Sequence, residues 1–269
     1  MHLYPLRSFA ILWCALVWLA AVNAAMAAKE AVDIELVLAV DVSGSMDADE
    51  LVLQRYGYVA AFRHRDVIGA ITSGFLGRIA VTYVEWAGPY SQVVTVPWRV
   101  VDGAASAREF ADILDDAPTA YIRGTSISGG LAFSAGLFGG NGIEGTRRVI
   151  DISGDGANRQ GIPVEVARDE VLARGIVING LPLLLKPRPY FWSGGGGLDE
   201  YYHDCVIGGP GVFIIAVTKK SHLARAVRRK LVLEIAGAPP RVFLALAHAP
   251  RAKVDCFFGE KTYRSRDLD

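Results

Sequence analysis

The stretch Ile34-Glu-Leu-Val-Leu-Ala-Val40, followed directly by Asp41-Val-Ser-Gly-Ser45, decides the fold. The first part is almost wholly apolar and does not alternate, which is typical of a strand buried on both faces of a parallel sheet. In open α/β sheets, ligands bind beyond the carboxyl ends of such strands. The stretch therefore predicts a fold class and also the edge of the sheet where a site is expected.

Further strands and helices alternate along the chain. Strands are predicted at 78–86, 92–98, 147–153, 176–181 and 212–217, and helices at 47–65, 104–115, 126–137, 163–174 and 221–235. The link Gly88-Pro-Tyr90 is short enough for a hairpin, so one strand pair is expected to be antiparallel, with Pro97 on an edge strand. The pattern predicts a doubly wound, mostly parallel open sheet with one antiparallel edge strand and helices on both faces, a Rossmann-like α/β fold.

The amino terminus, residues 1–27, has the pattern of a secretory signal peptide. Arg7 precedes the apolar run Phe9–Val22, and Ala25-Met-Ala27 offers small residues for cleavage. An uncleaved membrane anchor is the alternative, but it needs about 20 apolar residues, and Asn23 interrupts the run. We therefore expect cleavage near Ala27 and export of the mature chain, to the periplasm or out of the cell.

The mature chain is predicted to consist of a domain at 28–237 and an extension at 238–269. Within the domain, 186–211 is rich in glycine and tyrosine, and a loop of that length is usually functional or mobile. The extension starts with a proline-containing linker and is expected to be weakly structured. Cys205 and Cys256 remain after cleavage, and an oxidising compartment permits a disulfide, but the sequence leaves their pairing open.

Composition and motifs exclude several function classes. Lys and Arg total 28 and balance 28 Asp and Glu, so the chain lacks the positive charge of a nucleic-acid binder. A hydrophobic fraction of 52% excludes general disorder. The sequence contains no Gly-x-Ser-x-Gly, His-Glu-x-x-His or Walker motif. We therefore do not expect an enzyme, and a hydrolase that uses metal-activated water is the enzymatic alternative.

Oxygen-bearing side chains cluster in three segments that follow a strand or precede a helix. These segments supply Asp41, Ser43 and Ser45, then Thr125, and then Asp155. Each segment also has a purely structural interpretation, because Asp-x-Ser-x-Ser and Gly-Thr-Ser can cap helices and Asp-Gly is a common turn. Together they form a set of two carboxylates and three hydroxyls that suits a hard divalent cation such as Mg²⁺.

In this order, the segments Val37-Leu-Ala-Val-Asp-Val-Ser-Gly-Ser45, Arg-Gly-Thr125-Ser and Val-Ile-Asp-Ile-Ser-Gly-Asp155-Gly resemble a von Willebrand factor type A domain with its metal-ion-dependent adhesion site. The likeness is greatest to an uncharacterised bacterial group of exported type A domain proteins. It implies that the ligands of Mg²⁺, or of Mn²⁺ or Ca²⁺, are Asp41, Ser43, Ser45, Thr125 and Asp155, directly or through water. One departure from the family pattern is Gly154 between Ser153 and Asp155, which leaves Asp151 as an alternative carboxylate.

The resemblance also implies the kind of partner. Family members are similar in using the bound cation for protein–protein adhesion, so an Asp or Glu of another exported protein is the expected docking group. The basic segment 219–230 offers a further alternative, an envelope adaptor with weak contact to anionic membrane surfaces. In that segment Leu223, Val227 and Leu231 are expected to pack inward and the cations to face outward, which also describes an ordinary solvated helix face.

Overall fold

A five-stranded sheet forms the centre of the fold. The computed structural model describes residues 29–118, 121–186, 197–237 and 253–266. The strands are β1 Glu30–Val32, β2 Glu35–Asp41, β3 Ile79–Trp86, β4 Gln92–Val101, β5 Ile143–Gly145, β6 Arg148–Gly154 and β7 Val177–Pro182. The main sheet has the order β4-β3-β2-β6-β7 and is parallel except for the edge strand β4, which is antiparallel to β3. Strands β1 and β5 pair separately.

Helices cover both faces of the main sheet. They are α1 Ala48–Phe62, α2 Arg65–Thr72, α3 Ala104–Asp116, α4 Ile127–Gly136, α5 Val164–Ala173, α6 Leu198–Tyr201, α7 Leu223–Ala236 and α8 Phe258–Arg266. Leu36 and Leu38 of β2 belong to the core beneath α1, α2, α3 and α7, whereas Val37 and Ala39 belong to the core beneath α4 and α5. Because β2 is buried on both sides, its apolar residues do not alternate with polar ones. The predicted doubly wound α/β fold is confirmed.

The helix predicted at 47–65 is confirmed as α1, and a second helix that was not predicted, α2, follows it. Helix α1 is capped by Asp47, whose carboxylate accepts a hydrogen bond from the backbone N–H of Glu50 (2.8 Å), and it ends at Phe62. Helix α2 is capped by His64, whose Nδ1 accepts from the backbone N–H of Asp66 (3.1 Å). The predicted range ends at Arg65, which is the first residue of α2.

The segment 212–217, predicted as the last strand, does not form a continuous strand. It runs beside β7 and pairs with it at isolated positions, Gly180 with Ile214 and Leu183 with Val217. Pro182 lies between these positions and has no backbone N–H to donate, so the ladder is interrupted there.

The segment 186–211, expected as a loop, is partly helical. Residues 187–196 lie outside the described residues, but α6 follows them and continues into a π-helical turn at Tyr202–Val206. The side chains of Tyr201 and Tyr202 are buried in the core beneath α4 and α5. These two tyrosines therefore cover the core and do not face a partner.

A disulfide joins Cys205 of this turn to Cys256 in the extension, a pairing that the sequence left open. The extension is not weakly structured throughout, because it contains α8. The described residues from Ala31 onward belong to one compact unit. The predicted signal peptide lies outside the described residues. Within the described ranges, no helix has both the length and the apolar character needed to cross a bilayer.

The basic segment 219–230 does not turn all its cations to solvent. Lys230 is fully buried, and its Nζ lies 2.7 Å from Asp151 Oδ1 and also contacts the carboxylate of Glu234. A buried ammonium group needs such partners because burial removes its hydration. The expectation that every cation of this segment faces outward is therefore wrong.

Candidate metal centre

The predicted site lies at the carboxyl ends of two neighbouring parallel strands. Strand β2 ends at Asp41, and β6, which pairs with β2, ends one residue before Asp155. Strand pairing therefore brings both carboxylate residues to the same edge of the sheet. Ser45 Oγ donates a hydrogen bond to Asp155 Oδ1 (2.5 Å), and the hydroxyl oxygens of Ser43 and Ser45 lie 2.9 Å apart.

Asp41 is completely buried and only half satisfied. Its Oδ1 accepts a hydrogen bond from the backbone N–H of Ser43 (2.7 Å), whereas its buried Oδ2 has no hydrogen-bond partner within the described part of the chain. Burial, and then the negative charge of Asp155, raise the pKa of Asp41 to about 7. A buried carboxylate with a free oxygen beside a second carboxylate is an environment that a cation would stabilise.

Thr125 lies on the third segment, just before α4. Its backbone carbonyl accepts hydrogen bonds from the backbone N–H groups of Arg159 (3.0 Å) and Gln160 (3.2 Å). Thr125 and Ser45 line the same cavity, which has a volume of about 470 Å³. The preceding residue, Gly124, has φ +102°, and a Cβ there would lie 2.5 Å from Gln160 Oε1. Only glycine therefore allows this backbone conformation immediately before Thr125.

Gly154 has a specific steric role at the site. A Cβ at this position would lie 2.8 Å from Asp41 Oδ2 and 2.8 Å from the hydroxyl oxygen of Tyr202. The glycine between Ser153 and Asp155, which departs from the family pattern, is thus what lets these buried oxygens approach the end of β6. Tyr202 was not predicted as a site residue, because it lies in a separate segment of the sequence. Its pKa is raised well above the usual value by burial and then by the charges of Asp41 and Asp155.

Lys186 was also missed by the sequence analysis. Its ammonium group lies 3.1 Å from Asp155 Oδ2 and 2.8 Å from Glu50 Oε2, and it also donates to the backbone carbonyl of Ser45. The lysine follows the carboxyl end of β7, so its position after a strand end was the available signal. It neutralises part of the acidic charge at this edge of the sheet.

Asp151, the alternative carboxylate, is occupied elsewhere. It lies within β6, is buried, and forms the ion pair with Lys230 described above. Throughout the described residues, no three His, Cys, Asp or Glu side chains are grouped as metal ligands. The site at the sheet edge has instead two carboxylates and neighbouring hydroxyl oxygens, which is a donor set for a hard cation.

The fold is that of a von Willebrand factor type A domain. Similar solved structures include proximal thread matrix protein 1 from the mussel byssus with a zinc-occupied MIDAS motif (16% identity, TM-score 0.51, 77% of this chain and 47% of that one). They also include the pilus adhesin SpaC from Lactobacillus rhamnosus GG (12% identity, TM-score 0.53, 77% of this chain and 31% of that one). A third is a von Willebrand factor type A protein from Catenulispora acidiphila (15% identity, TM-score 0.51, 76% of this chain and 43% of that one). This chain therefore spans less than half the length of these three proteins, and at such identities the likeness concerns the fold.

A family described as "Protein of unknown function (DUF1194)" matches residues 31–239, and this chain belongs to that family. None of the curated proteins matches its sequence. The matched region contains all five residues predicted to hold a metal, and it ends before Cys256.

Proposed function

We propose that this protein is a metal-dependent protein-binding module. A divalent cation, Mg²⁺ or alternatively Mn²⁺ or Ca²⁺, would be held by Asp41, Ser43, Ser45, Thr125 and Asp155. When bound, the cation would supply an electropositive centre with an open position for an Asp or Glu carboxylate of a partner protein.

The observation that carries this proposal is the unpartnered, buried Oδ2 of Asp41. Burying an ionised carboxylate without a partner is costly, and the nearby charge of Asp155 adds to that cost. A cation between these carboxylates would offset both costs. The hydroxyls of Ser43 and Ser45 lie within hydrogen-bond distance of each other, and that of Ser45 also contacts Asp155. These hydroxyls would complete an oxygen-only donor set.

The surrounding residues support the ligand positions. The backbone N–H of Ser43 orients Asp41 by holding its Oδ1, and Lys186 holds Oδ2 of Asp155. One structural neighbour has a zinc-occupied MIDAS motif and another is a pilus adhesin, which fits a binding role for this fold.

We propose a binding site here and not a catalytic one. A hydrolase would need a general base beside the reacting group, whereas in this proposal Asp41 and Asp155, the two carboxylates at the site, hold the cation. Two of the described histidines are engaged elsewhere: His64 caps α2, and His203 Nδ1 lies 2.9 Å from Asp204 Oδ1. Lys186, which does lie at the site, is held by acidic partners.

We also propose that the protein is exported through the predicted signal peptide at 1–27. The disulfide between Cys205 and Cys256 supports export, because such bonds persist in oxidising compartments and are rare in the cytosol.

Thermal unfolding in Mg²⁺, Mn²⁺, Ca²⁺ or EDTA tests the metal site. With Mg²⁺ at 100 times its Kd, the wild-type free energy of unfolding should rise by about 2.7 kcal/mol, a Tm shift of roughly 5–10 °C. Asp41→Asn preserves the shape of the side chain but removes its charge, so it should lose this shift. In EDTA the variant should be at least as stable as the wild type, because its buried side chain is neutral.

Asp112→Asn is the matched control, because Asp112 is exposed and pairs with Arg63 away from the site. This control should retain the full Mg²⁺ shift. A wild-type Tm that no cation changes would contradict the metal site, and so would a shift that persists in Asp41→Asn.

A further inference from the structure

A cavity of about 470 Å³ lies beside the candidate metal centre. Its lining includes Ser45 from the loop after β2, Thr125 and Arg123 from the segment before α4, and Arg159 from the loop after β6. Two of the proposed metal ligands, Ser45 and Thr125, therefore also line the cavity. A ligand bound to the metal would extend directly into it.

The cavity is positively charged. Arg123 and Arg159 are both exposed, and none of the residues that line the cavity is acidic. Within the described residues, neither arginine forms an ion pair, in contrast to Lys186, which is paired on the acidic side of the site. Two arginines that line one cavity without a counter-charge favour an anionic ligand, because arginine binds carboxylates through paired hydrogen bonds.

The two arginines stand on segments that are tied to each other. The backbone N–H of Arg159 donates to the carbonyl of Thr125 (3.0 Å), and the hydroxyl of Ser126 donates to the carbonyl of Gln160 (2.8 Å). Thr125 and Ser126 are thus fixed to the loop that carries Arg159. A cavity whose walls are already held in place requires less ordering when a ligand binds.

One exposed tyrosine lines the same cavity, and a second lies on a neighbouring hairpin. Tyr121 lines it and is 61% exposed. Tyr90 is 97% exposed and lies on the hairpin between β3 and β4, whose Gly88 touches Gly124. Tyrosine and arginine are the residue types that most often carry the binding energy of protein interfaces. The occupant that fits this combination is a segment of a protein and not a small inorganic anion.

We propose that the cavity is a subsite for a second acidic side chain of the partner, bound by Arg123 and Arg159 next to the carboxylate at the metal. The partner motif is then a pair of acidic residues in one short segment. This inference deepens the proposed function and rests on it, because the first carboxylate needs the metal centre.

Fluorescence anisotropy with blocked, labelled pentapeptides tests the subsite. One peptide series carries two acidic residues that are adjacent or separated by one or two alanines, and the matched peptides replace the second acid with glutamine. In Mg²⁺, the best peptide with two acids should bind the wild type about three- to tenfold more tightly than its matched peptide. Both should lose binding in EDTA.

The double variant Arg123→Gln/Arg159→Gln should abolish the preference for two acids and leave the affinity for peptides with one acid unchanged. Arg65→Gln, which changes a 93% exposed arginine outside the cavity, is the control and should retain the preference. Equal binding of both peptide series by the wild type in Mg²⁺ overturns the subsite but not the metal centre. Absence of any Mg²⁺-dependent peptide binding overturns the proposed function and the subsite together. Displacement of the peptide with two acids by an equal concentration of sulfate identifies a general anion site and also overturns the subsite.

Discussion

At the scale of single residues, the site depends on a glycine, Gly154, because any side chain at this position would clash. Gly154 is the last residue of β6. A Cβ on this residue would lie 2.8 Å from both Asp41 Oδ2 and the Tyr202 hydroxyl oxygen, and 3.2 Å from Trp86 Cζ2. All three of these side chains are fully buried, so none can move aside easily. The glycine therefore determines how close the carboxylate of β2 can lie to the loop of Asp155.

Gly154→Ala should lower the free energy of unfolding by about 1–3 kcal/mol, the usual cost of overfilling a packed site. It should also reduce the Mg²⁺-dependent rise in Tm, because Asp41 must shift. The control is Gly136→Ala in α4, where a Cβ meets no atom within 4 Å. Because alanine favours helices, that variant should gain up to about 1 kcal/mol. Chemical denaturation in EDTA and in Mg²⁺ measures both effects. Equal stability of the two variants would disprove the steric role of Gly154.

The residues of the metal centre were predictable to different degrees. Asp41, Ser43, Ser45, Thr125 and Asp155 lie in short motifs next to strand ends, where the local sequence carries the signal. Their assignment as metal ligands stays a prediction. Tyr202 reaches the site from another segment through the fold, so local sequence did not reveal it. Lys186 follows the end of β7, and this position was the one signal for it in the sequence. The role of Gly154 also depends on side chains from distant segments.

At the scale of secondary structure elements, a buried charge cluster joins α7 to the sheet. Lys230 and Glu234 are one turn apart on α7 and face Asp151 of β6. Tyr58 of α1 lies near these carboxylates, and Arg147 is the other charged group close to Glu234. Burial, and then the charge of Asp151, raise the pKa of Glu234 to about 8. Glu234 therefore retains its proton in the folded protein at pH values where an unfolded glutamate has lost it.

Because the folded pKa of Glu234 is raised, its contribution to stability is complete below about pH 4.5 and is lost as the pH rises to about 8. Glu234→Gln cannot ionise and should flatten this part of the stability profile. Urea unfolding from pH 4.5 to 8.5 in EDTA measures the free energy of unfolding of wild type and variant. In the difference between the two, the contributions of titrating groups that both proteins share cancel. Glu109→Gln, with a 64% exposed side chain, should follow the wild-type profile. If the stability of wild type and of Glu234→Gln changed with pH in parallel, the raised pKa of Glu234 would be refuted.

The elements that the sequence predicted well are those with a strong local pattern. Strands β2, β3, β6 and β7 begin and end within a residue or two of the prediction, because each is a run of apolar residues. The short strands β1 and β5 and the helix α6 have no such pattern and were missed. In α7 the burial of Lys230 and Glu234 had a signal in the sequence. These two residues continue the helical spacing of the buried Leu223 and Val227, which places them on the inward face.

At the scale of the whole molecule, the extension helps to hold the loop after β6. The side-chain amide of Asn158 donates to Glu260 of α8 (2.8 Å), and its backbone N–H donates to the hydroxyl of Tyr201 (3.1 Å). Gly259 lies so close to Asn158 that no larger residue would fit. The disulfide between Cys205 and Cys256 ties the residues just before α8 to the turn Tyr202–Val206. Asn158 then joins α8 to the loop, which carries Asp155 at its start and Arg159 near its end.

Removing the disulfide should therefore affect both stability and the site. The double variant Cys205→Ser/Cys256→Ser should lose roughly 2–5 kcal/mol of stability. Its loop 155–160 should exchange amide hydrogens faster, and its Mg²⁺-dependent rise in Tm should shrink. A reducing agent should change the wild type in the same direction and leave the double variant unchanged. Unaltered exchange in the loop of the double variant would contradict a bracing role for the extension.

The position of this disulfide has a practical consequence for recombinant fragments. The family match stops at residue 239, so a fragment trimmed to that boundary would leave Cys205 as an unpaired thiol and would remove the carboxylate that Asn158 binds. Such a fragment could cross-link through its thiol, and a weak metal response measured on it would reflect the truncation. Material for binding assays should run through Arg266 and be produced in an oxidising host compartment.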